Sequence, residues 1–187
     1  MTSSGSVERH ERLRLFLGFR LPDSGVQGVA RWQADDLGAP EQARVVPEEN
    51  LHVTIAFLGS RPAHEVESIG NALRAAVDGV SPPVLTPTRY RETRSVGMLV
   101  FDDEEGRATR IAEDTHGRLE RLGVYEPESR PWLPHLTVVR FRRRPRLRPP
   151  IPALGPVTMS EAAVYISRLR PSGAQYEVVE SVPLGGG

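Results

Sequence analysis

Residues 51–58 read Leu-His-Val-Thr-Ile-Ala-Phe-Leu, and residues 134–141 read Pro-His-Leu-Thr-Val-Val-Arg-Phe, so His-x-Thr occurs twice inside an apolar run of strand length. Successive side chains of a strand point to opposite faces, so each run presents an imidazole and a hydroxyl on one face. The two pairs are His52 with Thr54 and His135 with Thr137. The opposite face is apolar in both strands, with Val53, Ile55 and Phe57 in the first and Leu136 and Val138 in the second.

Two such strands suit acid–base chemistry if they face each other across a cleft. One neutral imidazole can remove a proton while the other, protonated, donates one, and the ordinary pKa of histidine lies near pH 7. Cleavage of a phosphodiester needs a base on one side of phosphorus, an acid on the opposite side, and donors for the equatorial oxygens. Thr54 and Thr137 suit the last role. Either motif alone would indicate a strand histidine that only forms a hydrogen bond, whereas the matched pair favours catalysis.

The spacing of apolar residues predicts further strands and helices around these motifs. Asp23 or Ser24 is the expected cap of the first helix. Several neighbouring strands are joined by turns too short for a helical crossover, which predicts an antiparallel α+β fold rather than a doubly wound parallel sheet. Strands are expected at 13–21, 44–46, 51–58, 88–91, 96–101, 135–141, 157–169 and 175–183, and helices at 24–37, 62–80 and 105–122.

The composition excludes several kinds of chemistry. All 24 basic residues are arginine, so a Schiff-base lysine and a phosphate-loop lysine are excluded. The chain has no cysteine, which excludes disulfides, thiolate metal sites and a cysteine nucleophile. His52 and His135 have no third donor at ligand spacing, so we expect no metal and no other cofactor. His64 and His116 lie on predicted helices without a partner motif and are assigned to the surface or to packing.

The net charge of zero conceals an uneven distribution of charge. Residues 130–148 contain seven arginines and no acidic residue. A basic rim beside the second motif would attract the phosphates of an RNA end, and a solvated connector is the alternative. The candidate phosphate contacts are Arg130 and Arg140. The candidates for stacking on a terminal base are Phe16, Tyr90, Trp132 and Tyr165, with core packing as the alternative for Phe16.

Four blocks of sequence carry a resemblance that spans nearly the whole chain: residues 14–22, 46–59, 130–140 and 164–178. Together they resemble the two-histidine (2H) phosphoesterases, and within them the RNA 2′,3′-cyclic phosphodiesterases, also named 2′-5′ RNA ligases or LigT-like proteins. The resemblance implies two lobes related by a pseudo-twofold axis, each an antiparallel sheet backed by helices, with the His-x-Thr strands lining the groove between them. It also implies that His52 donates a proton to the leaving O3′ and that His135 accepts one from water, which leaves a 2′-phosphate.

The sequence differs from the family pattern at one position and leaves a second one open. Leu133 stands where family members often carry arginine or lysine, so one phosphate or RNA contact is missing here or is supplied by another residue. Arg140 matches the family arginine after the second motif, but simple alternation puts it on the face opposite His135. Arg140 reaches the groove only if strand twist or a bulge redirects it, and it is otherwise structural.

The remaining expectations concern organisation and partners. Residues 1–12 are expected to form a disordered lead-in, 13–184 a single bilobal domain and 185–187 a flexible tail. No secretory or membrane segment is recognised, so we expect a cytoplasmic monomer without a membrane partner. The expected reaction is metal-independent opening of the 2′,3′-cyclic phosphate end of RNA to a 2′-phosphomonoester. The alternatives are a non-catalytic RNA-end binding protein, the same chemistry on small cyclic nucleotides, and reversible 2′-5′ RNA ligation.

Overall fold

The computed structural model describes residues 11–171 and 173–185. The predicted lead-in up to residue 10 and the last two residues of the predicted tail lie outside this part of the chain. Strand β1 begins at Arg12, the last residue of the predicted lead-in. In chain order, the described residues form β1 (Arg12–Arg20), α1 (Asp23–Asp35), β2 (Arg44–Val45), β3 (His52–Pro62), α2 (Val66–Val77), β4 (Val84–Glu92), β5 (Val96–Asp102), α3 (Arg107–Arg121), β6 (His135–Arg140), β7 (Val157–Thr158), β8 (Glu161–Arg170) and β9 (Gly173–Pro183).

The strands form one curled antiparallel sheet in the order β7-β4-β5-β6-β3-β1-β8-β9, with β2 added beside β6. The sheet divides at the junction of β3 and β6, which pair only through Val53 and Leu136. We call β3, β1, β8 and β9 the first lobe, and β7, β4, β5, β6 and β2 the second lobe. The α+β fold with two antiparallel lobes is confirmed, and each lobe contributes one His-x-Thr strand to the junction.

Helices cover one side of each lobe and close the core. Helix α2 packs on β8 and β9 of the first lobe, and α3 packs against α2 and β3. Helix α1 covers the second lobe, where the amide of Gln33 donates to the carbonyl oxygens of Val46 and Val138. The buried stripe of α2 repeats at helical spacing through Ile69, Leu73 and Ala76. Each large apolar side chain removed from water in this way stabilises the folded state by about 1.5–3 kcal/mol. The packed lobes therefore hold the strands of the junction in place.

Two local predictions about the elements are wrong. The strand expected at 157–169 is two strands, because β7 pairs with β4 of the second lobe whereas β8 pairs with β1 of the first. The chain crosses between lobes at Met159 and Ser160, whose N–H groups donate to Pro83 and Arg20. The N-cap of α1 is Pro22 and not Asp23 or Ser24, because Pro22 is the last extended residue and Asp23 is already helical, and no side chain caps the first turn.

Residues 142–148, which follow β6 and which we call the arginine-rich connector, are bound to the second lobe at a buried carboxylate. Glu92 accepts hydrogen bonds from Arg144 Nε at 3.0 Å and from the backbone N–H groups of Arg146 at 3.0 Å and Leu147 at 2.7 Å. Arg146 has a left-handed φ of 61°, which these bonds hold in place. The connector is therefore anchored along its length. Among the described residues, no helix is long and apolar enough to cross a membrane.

Candidate active site

The register of β3 against β6 sets the relative positions of the two His-x-Thr motifs. Val53 lies opposite Leu136 in an antiparallel pair, so one step along each strand sets His52 beside Thr137 and Thr54 beside His135. The two histidines are therefore diagonal neighbours, roughly 7–8 Å apart along the backbones.

Both imidazole rings are fixed in the same way by a carbonyl two residues earlier. His52 Nδ1 lies 2.8 Å from the carbonyl oxygen of Asn50, and His135 Nδ1 lies 2.9 Å from that of Leu133. A carbonyl oxygen only accepts, so Nδ1 carries the proton in both rings and Nε2 is left as the acceptor of the neutral form. The Thr54 hydroxyl donates to His52 Nε2 at 3.1 Å. Each motif thus presents one basic nitrogen to the junction.

Aromatic rings surround the first imidazole. The ring centroid of His52 lies 4.7 Å from that of Phe16, 5.4 Å from that of Tyr176 and 5.8 Å from that of Tyr165. Gly18 on β1 leaves the space for this ring, because a Cβ there would lie 3.1 Å from His52 Cδ2. Glycine at this position therefore allows the close approach of β1 to the imidazole.

This enclosure changes the acidity of His52. Burial lowers the pKa of His52 to about 4, although the hydrogen bond to Asn50 favours the charged form. The positive charge of Arg140, and repulsion from His135 whenever that ring is also protonated, lower the pKa of His52 further. His52 is therefore neutral at pH 7 in the free protein, and its protonation needs a nearby negative charge.

A one-residue register shift follows the threonine in each motif and brings a third side chain to the same face. In β3 the shift leaves Ile55 without an opposite residue on β1, and in β6 it leaves Val138 without one on β5. Two consecutive buried residues result in each strand, and the alternation of faces then resumes one residue later. Arg140 is redirected in this way to the face of His135. Phe57, predicted on the buried face, is 51% exposed instead.

An open cavity of about 550 Å³ extends from His52 along the first lobe. Thr54, Asn50, Phe16, Tyr176 and Phe57 contribute to its wall. The charged residues in its lining are all arginines: Arg14, Arg44, Arg140 and Arg170. His135 and Thr137 lie on the adjoining strand β6, across the junction from Thr54 and His52.

The other predicted binding residues have different partners in the structure. Arg130 is exposed and forms an ion pair with Glu128, with 3.2 Å between Nε and Oε2. Trp132 Nε1 donates to the carbonyl oxygen of Thr54 at 3.0 Å. Tyr165 is 5% exposed and Phe16 is 3% exposed, and their rings stack at 4.7 Å, so neither has a free face for a base. Phe16 borders the cavity as part of the packing under His52.

Tyr90, the remaining stacking candidate, is also occupied elsewhere. Its hydroxyl donates to Glu92 Oε1 at 3.2 Å, beside the anchored connector of the second lobe. Burial and the neighbouring carboxylate of Glu92 raise the pKa of Tyr90 above its usual range. Tyr90 therefore belongs to the support of the connector and not to the junction.

Several residues that the sequence did not assign to the site hold β3 in position. Asn50 carries the carbonyl that fixes His52, and its side-chain amide donates to Ala174 on β9 at 2.8 Å. His116 Nε2 lies 2.7 Å from the carbonyl oxygen of Ile55, and the ring stacks on Tyr125 with centroids 4.7 Å apart. Trp132 and His116 thus hold two successive carbonyls of the strand that carries His52. The His-x-Thr spacing gives no sign of these contacts, because the bonds made by Trp132, by His116 and by the side chain of Asn50 all join residues that are distant in sequence.

Metal-ligating side chains are scattered in the described part of the chain. Across residues 11–171 and 173–185, no group of three or more His, Cys, Asp or Glu side chains is close enough to hold a metal ion. The junction itself offers two imidazoles, two hydroxyls and the guanidinium of Arg140. Groups of these kinds can donate hydrogen bonds to an anion and exchange protons with it.

Comparison with known proteins places the chain among phosphoesterases. A family described as LigT like Phosphoesterase matches residues 20–90. A Thermus thermophilus protein named RNA 2′,3′-cyclic phosphodiesterase is 31% identical over 151 residues, which cover 75% of each chain. The solved structure of TT0787 of Thermus thermophilus superposes with a TM-score of 0.79 at 26% identity, covering 93% of this chain and 99% of that one. The structure of E. coli LigT complexed with 3′-AMP, at 21% identity and a TM-score of 0.76, covers 94% of this chain and all of the other, and shows the same fold. This chain therefore belongs to the LigT-like phosphoesterase family.

Proposed function

We propose that this protein is an RNA 2′,3′-cyclic phosphodiesterase that opens the cyclic end to a 2′-phosphomonoester by acid–base catalysis with His52 and His135. One observation carries the proposal: two imidazoles, each with Nδ1 bound to a carbonyl two residues earlier, present Nε2 to one junction. Relatives that bear this name support the choice of substrate, among them the Thermus thermophilus protein. The family relationship supports a phosphodiester rather than another anion.

The proposed reaction transfers two protons on opposite sides of phosphorus. Water attacks phosphorus in line with the P–O3′ bond while His135 Nε2 accepts its proton. The P–O3′ bond breaks, and His52 donates the proton on Nε2 to O3′. The product carries a 2′-phosphomonoester and a 3′-hydroxyl. The two imidazoles finish with their protonation states exchanged and return to the starting states through solvent.

The environment of His52 makes its protonation depend on substrate. Because burial lowers the pKa of His52 to about 4, the free protein holds this ring neutral near pH 7. A phosphodiester anion at the junction offsets the positive charge of Arg140 and favours the imidazolium form of His52. The bond from Nδ1 to the Asn50 carbonyl also stabilises that charged form. His52 thus becomes an acid when the anion that needs the acid is present.

The threonines and Arg140 complete the proposed site. The Thr54 hydroxyl donates to His52 Nε2 when that nitrogen is unprotonated. Once Nε2 is protonated, the hydroxyl is released to donate to a phosphate oxygen. Thr137 has the corresponding place beside His135 in the second motif, and Arg140 supplies a positive charge on the same face. These donors stabilise the negative charge on the equatorial oxygens in the transition state.

A substrate panel tests the proposal. Purified protein is incubated with a 2′,3′-cyclic mononucleotide, a 3′,5′-cyclic mononucleotide and an oligoribonucleotide with a 2′,3′-cyclic end, with and without EDTA. We expect turnover of the two 2′,3′-cyclic compounds, at the same rate in EDTA. Turnover of the 3′,5′-cyclic compound alone, or loss of all turnover in EDTA, would contradict the proposal.

The same panel separates catalysis from binding alone. A non-catalytic RNA-end binding protein would retain the cyclic oligonucleotide unchanged at stoichiometric binding. Joining of 2′-5′ ends would appear as a longer product when a 5′-hydroxyl oligonucleotide is added. The expected monomeric state and cytoplasmic location stay predictions, and light scattering tests the first against the chain mass of 20.7 kDa.

A further inference from the structure

The cavity beside His52 has a lining whose charged residues are all basic, although the chain contains as many acids as bases. Eight arginines elsewhere in the described residues form ion pairs with carboxylates. Within the described part of the chain, Arg14, Arg44, Arg140 and Arg170 form none: the paired arginines are 20, 61, 74, 107, 118, 130, 144 and 168. Positive charges gathered in a cavity without counter-charges create a field that attracts an anion.

These arginines extend the site away from the junction. Arg140 lies at the junction itself, close enough to lower the pKa of His52. The other three, Arg14, Arg44 and Arg170, we call the arginine wall. Arg14 lies two residues before Phe16 on β1. The Cα atoms of the two residues are therefore about 7 Å apart along the strand, and the ring of Phe16 packs on His52. Arg170 ends β8, five residues beyond Tyr165.

Arg44 connects the two lobes along this wall. It lies in β2, opposite Arg140 on β6 of the second lobe. Its guanidinium reaches the first lobe at Gly173, where a Cβ would lie 3.3 Å from Nη1. Arg44 therefore lies between Arg140 at the junction and the start of β9, in the same cavity lining as Arg170 at the end of β8.

An exposed aromatic ring accompanies the wall. The guanidinium carbon of Arg14 lies 4.9 Å from the centre of the Phe57 ring, a cation–π contact that holds the arginine in place. Phe57 is 51% exposed and belongs to the same cavity lining. Positive side chains that follow a backbone, with aromatic rings on which bases stack, are the features of single-stranded nucleic-acid sites.

We propose that the arginine wall and Phe57 form a subsite for the nucleotides that precede the cyclic end, so that the protein prefers single-stranded RNA to free cyclic mononucleotides. This inference rests on the proposed function, because the cyclic end must occupy the junction for the preceding nucleotides to reach the wall. The arginine-rich connector is less suited to this role, because none of its arginines between residues 142 and 148 lines the cavity beside His52. Arg144 there is paired with Glu92, and the backbone of the next residues is bound to the same carboxylate.

The test compares two substrates that share one terminal nucleotide. The value of kcat/KM is measured for a 2′,3′-cyclic mononucleotide and for a single-stranded RNA tetranucleotide with the same cyclic end. We expect the ratio of the second value to the first to fall about 10-fold in Arg14→Gln and in Arg170→Gln. Phe57→Leu lowers the ratio about 5-fold, since stacking is lost. The matched control is Arg121→Gln, an exposed arginine at the end of α3 outside the cavity lining, which keeps the wild-type ratio.

Salt dependence gives a second readout that a structural defect would not produce. For a single strand, the slope of log affinity against log salt falls by about 0.7 for each phosphate contact removed. Binding of a fluorescent tetranucleotide that ends in a 2′-phosphate is measured by fluorescence anisotropy between 50 and 200 mM salt. The Debye length in this range is roughly 10 Å, so salt screens contacts between arginine and phosphate. The slope is expected to be shallower in Arg14→Gln and unchanged in Arg121→Gln.

These measurements distinguish a failure of the subsite from a failure of the proposed function. If neither cyclic substrate is turned over but tetranucleotide binding depends on Arg14 and Arg170, the proposed function is wrong and the subsite stands. If both substrates are turned over and the double variant Arg14→Gln/Arg170→Gln keeps the wild-type ratio and salt slope, the subsite is wrong. Equal losses on both substrates would also overturn the subsite, since they would indicate damage to the junction.

Discussion

The two His-x-Thr strands have the same local geometry and different surroundings. In each, a carbonyl two residues earlier fixes the imidazole, and a register shift after the threonine redirects a third side chain. That third residue is Phe57 in β3 and Arg140 in β6. The ring of His52 is packed among Phe16, Tyr165 and Tyr176, whereas the second motif carries the cation.

The difference indicates how two strands with the same local geometry can have different roles, because the side chains around each histidine differ. The shared hydrogen bonds set the direction of each Nε2, and they are the same on both sides of the junction. The aromatic packing lowers the pKa of His52, and Arg140 lowers it further. The low pKa alone would suit a base, so the donor role proposed for His52 requires that a bound phosphodiester anion raise this pKa. The asymmetry between the strands therefore makes the protonation of His52, and not that of His135, the step that depends on substrate.

The largest expected effect comes from removing either imidazole. His52→Ala and His135→Ala should each lower kcat on a 2′,3′-cyclic mononucleotide by about 10²–10⁴-fold, because each removes one of two required proton transfers. The double variant should have a kcat only slightly below that of the less active single variant, since the two histidines act as a unit. Circular dichroism and thermal unfolding serve as controls for folding. Full turnover by either single variant would contradict the proton transfer assigned to the histidine that it lacks.

A pH-dependent part of stability is expected to come from His52. The unfolded chain binds a proton at the ordinary histidine pKa of 6.5, and the folded protein does so only near pH 4, so the unfolded state holds more protons between these values. The free energy of unfolding should therefore fall by about 3 kcal/mol as the pH falls from 6.5 to 4. Urea unfolding at pH 6.5 and at pH 4 measures this decrease in the free energy of unfolding. His52→Gln should lack this decrease, and His135→Gln, with His52 intact, should retain it. An identical decrease in His52→Gln would contradict the assignment.

A third prediction compares the two redirected residues. Arg140→Gln should lower kcat/KM for the cyclic mononucleotide about 10-fold, because a charge-assisted contact to phosphate is lost. The pKa of His52 should rise in the same variant, since one source of positive charge is removed. Steady-state kinetics and NMR titration of the imidazole measure the two effects. Phe57→Leu should reduce kcat/KM for the mononucleotide less than Arg140→Gln does, and the reverse order would contradict their assignment to different parts of the substrate.

The smallest effect concerns the support of the first strand. Trp132→Phe removes the hydrogen bond to the Thr54 carbonyl and should cost about 1 kcal/mol of stability, with a few-fold loss in kcat and little change in KM. Trp32→Phe is the matched control, because Trp32 Nε1 makes an equivalent bond to Pro150 at 2.8 Å outside the junction. The control should lose similar stability and keep kcat. Equal kcat values in the two variants would assign Trp132 a purely structural role.

The sequence predicted the framework of the site but not the side chains that surround it. His52, Thr54, His135 and Thr137 follow from a two-residue period, which is local and survives folding. The same period failed at Phe57, because one unpaired residue in the ladder reverses the faces beyond it. For Arg140 the sequence left a bulge as one of two possibilities, and the structure has that bulge. A register shift depends on the partner strand, so a single strand does not reveal it.

Long-range contacts account for the other differences. Tyr165 was a candidate for stacking because aromatic residues serve that role, but it is buried under His52. Trp132 donates to a strand carbonyl, and its stacking on a base stays a prediction. The arginines that lie together in sequence were expected either at the substrate or in a solvated connector. Of these, Arg140 lines the cavity, where the sheet order brings it together with arginines of β1, β2 and β8.

The identity of the product isomer tests the central claim most directly. A 2′,3′-cyclic mononucleotide is incubated with the wild-type protein, His52→Ala and His135→Ala, and the monoester formed is identified by ³¹P NMR. If His52 protonates O3′ and His135 activates water, the wild-type protein forms the 2′-phosphomonoester alone and the two variants form almost none. A 3′-phosphomonoester, a mixture of isomers, or the same product at the wild-type rate from either variant would contradict the account.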